Sequence, residues 1–114
     1  MIGYDTFVAV RFKAKDLTQN TDILPLLHAV VGVSGEAGEL LDAIKKAWVY
    51  GKPLDRNNVI EELGDIEFYL EAARAELGVT RDEVIQANRE KLIKRYPTGY
   101  TDSAAIARAD KEAV

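Results

Sequence analysis

Residues 35–46, GEAGELLDAIKK, and residues 61–70, EELGDIEFYL, each set two acids three positions apart within a stretch rich in apolar residues. An α-helix turns about 100° per residue, so a spacing of three returns a side chain to nearly the same face. Glu36 with Glu39, and Glu62 with Asp65, therefore read as two acidic stripes on two helices. No stretch alternates with period two, and the chain reads as all-α.

Working outward, a helix is expected from about Asp22 to Tyr50, with Pro25 tolerable in its first turn. GKPLD, residues 51–55, is the turn, and the next helix runs from about Arg56 to Leu77. Gly78 is a helix-ending residue, and TRDE at Thr80–Glu83 matches a capping box that starts a further helix, stopped by Pro97. A shorter first helix is expected over Tyr4 to Lys15, and the Ala-rich tail from Asp102 to Val114 either forms a short fifth helix or frays. The expected architecture is four-helix-bundle-like, a single domain over 1–114 with its motifs between about 22 and 100.

Composition narrows the chemistry. The chain of 114 residues has no cysteine, which excludes disulfides, thiolate zinc sites and cysteine nucleophiles, and fits a reducing compartment. A single histidine, His28, leaves no basis for a multi-histidine zinc site and argues against a Ser-His-Asp triad. A net charge of −4 opposes binding to a nucleic-acid backbone. No apolar run is read as approaching the ~18 residues of a membrane span, and the N-terminus shows no signal-peptide pattern.

On the wheel, Leu26, Val30, Val33, Ala37, Leu40, Leu41 and Ile44 form one apolar face, bordered by Glu36 and Glu39. His28, Gly32, Gly35, Glu39 and Lys46 fall within roughly 60° of one another. Each glycine there costs a helix about 1 kcal/mol relative to alanine, which implies that something approaches closely. On the following helix Val59, Leu63, Ile66, Leu70, Ala73 and Leu77 are the apolar side, with Glu62, Asp65 and Tyr69 along its edge. A short turn makes the two helices antiparallel and puts the two acid pairs at a similar level.

A single acid pair on a helix is ordinarily solvated surface. Two pairs at matched levels are different, because four converging carboxylates repel unless a cation neutralises them. Hard oxygen ligands select Mg²⁺, with Mn²⁺ as a substitute, and a di-iron bundle would require Glu-x-x-His pairs. Further along, Asn88, Lys91 and Arg95 share a face. They form either a cationic helix terminus favourable to the macrodipole or a row holding phosphate oxygens. Trp48 and Tyr50 suit packing or base stacking.

HAVVGVSGEAGELLDAIKK, GKPLDRNNVIEELGDIEFYL and NREKLIKRYPTGY together resemble the MazG-type all-α nucleoside triphosphate pyrophosphohydrolases, especially small single-domain members such as those of phages. The likeness spans about residues 26–100. It implies Mg²⁺-dependent hydrolysis between the α and β phosphates of a (deoxy)nucleoside triphosphate, giving monophosphate and pyrophosphate. By position, Glu36, Glu39, Glu62 and Asp65 would hold the metal, and Glu36 or Glu39 would handle the attacking water. Lys91 and Arg95 follow as phosphate contacts beside Asn88, with Lys46 a lesser one. Tyr69, Tyr96, His28 and Trp48 become base or sugar contacts.

The likeness further implies a homodimer or homotetramer in the cytoplasm (the host's, if phage-encoded), with no nucleic-acid polymer or membrane as partner. A phosphoribosyl-ATP pyrophosphohydrolase and a non-catalytic helical interaction module are the alternative readings.

Overall fold

The computed structural model describes residues 1–12 and 20–111. Five α-helices follow one another: α1 (Tyr4–Ala9), α2 (Leu24–Tyr50), α3 (Arg56–Leu77), α4 (Arg81–Arg95) and α5 (Asp102–Ala107). Short 3-10 turns at Thr21–Ile23 and Ala109–Lys111 precede α2 and follow α5. The all-α expectation holds, with no strand among the described residues.

Local chemistry explains the boundaries. The Asp55 carboxylate accepts a hydrogen bond from the Asn58 backbone N–H at 3.1 Å and starts α3. Thr80 Oγ1 accepts from the Glu83 N–H at 3.1 Å, the forward half of the expected capping box. Gly51 and Gly78 close α2 and α3 in the left-handed conformation, at φ 63° and 68°. Helix α1 is shorter than expected, ending at Ala9, while residues 13–15 of the expected span lie outside the described residues. Asp22 falls in the 3-10 turn, and α2 proper begins two residues later with Pro25 in its first turn.

Helices α2 and α3 pack along their length as an antiparallel hairpin. The least exposed residues of α2 are Leu26, Ala29, Gly32, Val33, Glu36, Leu40, Ala43 and Ala47, most of them spaced by three and four. Those of α3 include Val59, Glu62, Ile66, Tyr69, Leu70 and Ala73. This seam is rotated from the apolar face expected from the sequence, and it takes in Glu36 and Glu62 instead of leaving them at its border. Val30, Leu41, Ile44 and Leu63, expected on the apolar faces, are exposed. Small residues, buried Ala29 and Ala43 among them, define the seam because they let the helices come close.

The described residues of one chain do not complete a four-helix bundle. Helix α4 packs against α5 and the 109–111 turn, not along the hairpin. The radius of gyration is 19.7 Å, against about 13 Å for a compact chain of this size. The wheel of each helix predicts an apolar stripe but not its partner, so the number of helices alone could not fix how they associate.

One further expectation is corrected. The helical stretch Thr21–Tyr50 contains an 18-residue segment of mean hydropathy 1.2, long and apolar enough by length and composition to cross a membrane. Glu36 and Glu39 interrupt it at positions where a bilayer would penalise charge.

Candidate metal centre and cationic cavity

The hairpin brings Glu36, Glu62 and Asp65 together, with one carboxylate oxygen from each within 4.8 Å of the others. The level match between the two acid stripes is therefore realised. Glu62 Oε2 is buried and has no hydrogen-bond partner. A proton on Glu62 is held above the ordinary carboxylate range. Hydrogen bonding to Glu36 contributes most, followed by burial and then the charges of Glu36, Asp65 and Glu39. Glu39 is exposed and contributes charge to the group without joining the three-oxygen cluster.

These residues fit a divalent cation. They offer hard oxygen donors only, they repel one another without a counter-charge, and one buried oxygen lacks any donor.

The glycines of α2 divide into two kinds. A Cβ at Gly32 would fall on the Tyr69 ring, so this glycine makes room for the chain's own tyrosine and not for a ligand. Gly35 and Gly38, beside the acids, face open space. Tyr69 in turn lies 6.4 Å, centroid to centroid, from His28. The two rings line a cavity of about 220 Å³ with Pro25, Ala29, Phe68, Ala72 and Glu76. Lys46 pairs with Asp42 at 3.3 Å on the exposed side of α2, and Trp48 is 82% exposed.

Helix α4 builds a second, cationic region. Arg108, at φ 50°, turns the chain after α5 so that residues 109–111 return onto α4. Arg95 Nε donates to Asp110 Oδ1 at 2.9 Å, and the Asp110 side chain is only 3% exposed. This bond holds the Asp110 carboxyl below its ordinary range against the opposing effect of burial. Lys91 lines a cavity of about 540 Å³ with Ala87, Glu90, Ile93, Lys94, Asp110 and Lys111. Arg95 is not among its walls, Asn88 is exposed, and Tyr96 packs its ring 5.3 Å from that of Tyr100.

Lys91 and Arg95 thus share a helix but have different surroundings, one open to a cavity and the other engaged by the tail. Lys94, Asp110 and Lys111 were not singled out in the sequence. The tail carries no motif, and its return onto α4 depends on the turn at Arg108, well beyond the end of that helix.

The MazG nucleotide pyrophosphohydrolase domain matches residues 27–100 of the chain. No curated protein and no solved structure matches it. The matched span contains the three-carboxylate cluster, Glu39 and the cationic face of α4. With nearly two-thirds of its length so matched and an acid cluster suited to a divalent cation, the chain belongs to the MazG nucleotide pyrophosphohydrolase family.

Proposed function

We propose that this protein is a Mg²⁺-dependent nucleoside triphosphate pyrophosphohydrolase, cleaving between the α and β phosphates to yield a monophosphate and pyrophosphate. The observation that carries this reading is the convergence of Glu36, Glu62 and Asp65 around a buried carboxylate oxygen with no partner. Glu36, Glu62 and Asp65 hold the cation, and Glu39 completes the set from the exposed side. Bound there, Mg²⁺ (or Mn²⁺) supplies a lowered water pKa and charge neutralisation for phosphate oxygens. Glu36 or Glu39 accepts the proton of the attacking water. Lys91 and Arg95 offset the negative charge that accumulates on the departing pyrophosphate, Arg95 sharing its charge with Asp110. The His28–Tyr69 cavity receives base or sugar, and Asn88, Lys46, Tyr96 and Trp48 are lesser contacts.

The working form is a dimer or tetramer of this chain. Val30, Leu41, Ile44 and Trp48, at helical spacing on the outer side of α2, and Ile60 and Leu63 on α3 are exposed in the single chain. A second hairpin laid on these stripes would supply the missing half of a four-helix bundle. Such an enzyme belongs in the cytoplasm, where its substrates are.

The test is pyrophosphate release from a panel of dNTPs, NTPs and modified nucleotides, with Mg²⁺ and with chelator. Release from at least one nucleotide, abolished by chelator and by Asp65→Asn, is expected. No release from any of them would leave a non-catalytic helical module. Release confined to phosphoribosyl-ATP would move the enzyme to the histidine-pathway reading. Light scattering reads the mass in solution, for which a monomer would refute the assembly.

A further inference from the structure

The end of α4 and the tail meet through an arginine–carboxylate pair whose geometry differs from that of Arg74 with Glu71. Arg74 closes on its neighbour three residues away with both Nε and Nη2, at 3.1 and 2.8 Å. Arg95 instead reaches Asp110, fifteen residues on, and donates through Nε alone at 2.9 Å. A guanidinium is a planar fork of five donors. A carboxylate that takes only its Nε fixes the plane and leaves the terminal nitrogens for another acceptor.

Ordered structure brings the carboxylate there. Thr101 Oγ1 accepts from the Ala104 N–H at 3.1 Å and starts α5, and Arg108 then turns at φ 50°, which a residue with a Cβ adopts only at a cost. The Asp110 side chain ends 3% exposed, against 17% for Arg95, so the acid is sealed in while part of the base stays accessible. Lys111 Nζ stands 3.6 Å from Oδ2, so two cations face one anion and a positive charge is left over. Asp110 therefore orients Arg95 without cancelling it. Asp110 and its turn lie beyond residues 27–100, the span that matches the family domain, so this contact belongs to the tail of this chain.

We propose that Asp110 is a positioning residue for the reaction: through Oδ1 it fixes the plane of the Arg95 guanidinium, so that the terminal nitrogens meet phosphate oxygens in a set orientation. Asp110 itself touches no substrate. An arginine already held in place loses less rotamer freedom when it takes an anion, which is the gain from preorganisation. This role rests on the proposed pyrophosphohydrolase reading, in which Arg95 offsets charge on the departing pyrophosphate, but the binding of pyrophosphate requires no turnover.

A double-mutant cycle on the full chain is the test. Asp110→Ala should raise KM for a hydrolysed triphosphate about tenfold, with a smaller fall in kcat. Asp110→Asn, which keeps an Oδ1 acceptor in the same shape, should recover most of that loss. With Arg95→Ala already in place, Asp110→Ala should add less than about twofold, because it acts only through Arg95. A tie that merely anchors the tail would lower Tm in Asp110→Ala and leave KM where it was, which would overturn the proposal. A fall in KM would overturn it too, since the pair would then withhold Arg95 from substrate, as would a tenfold rise that persists without Arg95.

Calorimetry with inorganic pyrophosphate in the presence of chelator reads the same orientation without turnover. Asp110→Ala should weaken that binding about tenfold, with helicity largely retained in circular dichroism. No release from any triphosphate, with pyrophosphate binding weakened as stated, would remove the catalytic reading and leave the positioning role standing. Normal turnover with unchanged pyrophosphate affinity in Asp110→Ala would end the positioning role and leave the catalytic reading intact.

Discussion

Among the described residues, two buried carboxylate oxygens lack a hydrogen-bond partner, Glu62 Oε2 in the α2–α3 seam and Asp110 Oδ2 beneath α4. Their surroundings are opposite. Glu62 sits among Glu36, Asp65 and Glu39, and its proton is held more tightly than usual. Asp110 sits against Arg95 with Lys111 nearby, and its proton is held less tightly. The same chemical group thus meets repelling carboxylates in one place and compensating cations in the other. The difference lies in what charge is already present, because a low-dielectric site amplifies the sign of its neighbours.

The largest effect that would break this contrast is catalytic. Glu62→Gln or Asp65→Asn should lower pyrophosphate release by at least ~10²-fold, since each removes a carboxylate that would hold the cation against the phosphates. Circular dichroism and melting should show a fold no less stable than the original, because a repelling carboxylate has gone. Near-normal turnover in either variant would end the metal-site assignment.

A smaller effect is expected on the cationic side. Lys91→Ala should raise KM for the triphosphate by about tenfold with a lesser change in kcat, as expected for one charged phosphate contact. Unchanged KM and kcat would remove Lys91 from the phosphate site.

Titration with Mg²⁺ sharpens the comparison further. At a concentration one hundred times its dissociation constant, the ion should stabilise the fold by about 2.7 kcal/mol at neutral pH, read as a rise in Tm, with little effect in Glu62→Gln. The pH dependence has opposite signs at the two sites. Glu62, raised from its ordinary 4.5, favours the metal-free fold when protonated, and that contribution fades as pH climbs through the raised value. Asp110, lowered from 3.8, favours the fold above its ordinary range and loses that contribution as pH falls through the lowered value. Melting curves of Glu62→Gln and Asp110→Asn against pH, without metal, should therefore depart from the parent in opposite directions.

The smallest effects concern the glycines. Gly32→Ala should destabilise by about 1–3 kcal/mol, because its Cβ meets the Tyr69 ring. Gly35→Ala, which meets nothing in the single chain, should be neutral or stabilising by up to about 1 kcal/mol in thermal melts. Lost activity in Gly35→Ala with an intact fold would show that a ligand or second copy approaches there.

Much of the α2–α3 region was legible beforehand. Its helix ends follow from Asp55, Gly51 and Gly78, and the level of Glu36 against Glu62 and Asp65 follows from a short turn and the rise of an α-helix. The rotation of the seam was not legible. Counting apolar residues put Val30 and Leu41 inward, whereas packing favoured the stripe of small residues through Ala29 and Ala43, which lets the helix axes approach. The role of Gly32 was hidden for a related reason, since the Tyr69 ring reaches it only across that seam.

By itself, the amino-acid sequence determined the three long helices, the Thr80 cap and the Gly78 stop, and the family to which they belong, all consequences of local spacing and of side chains within a few residues of one another. Tertiary structure alone decided which carboxylates meet, that α4 turns away from the hairpin, and that Arg95 is engaged by Asp110 and not left open to solvent. Those outcomes depend on contacts between residues far apart in the chain, where small differences in packing and charge balance choose among arrangements that the same helical pattern permits.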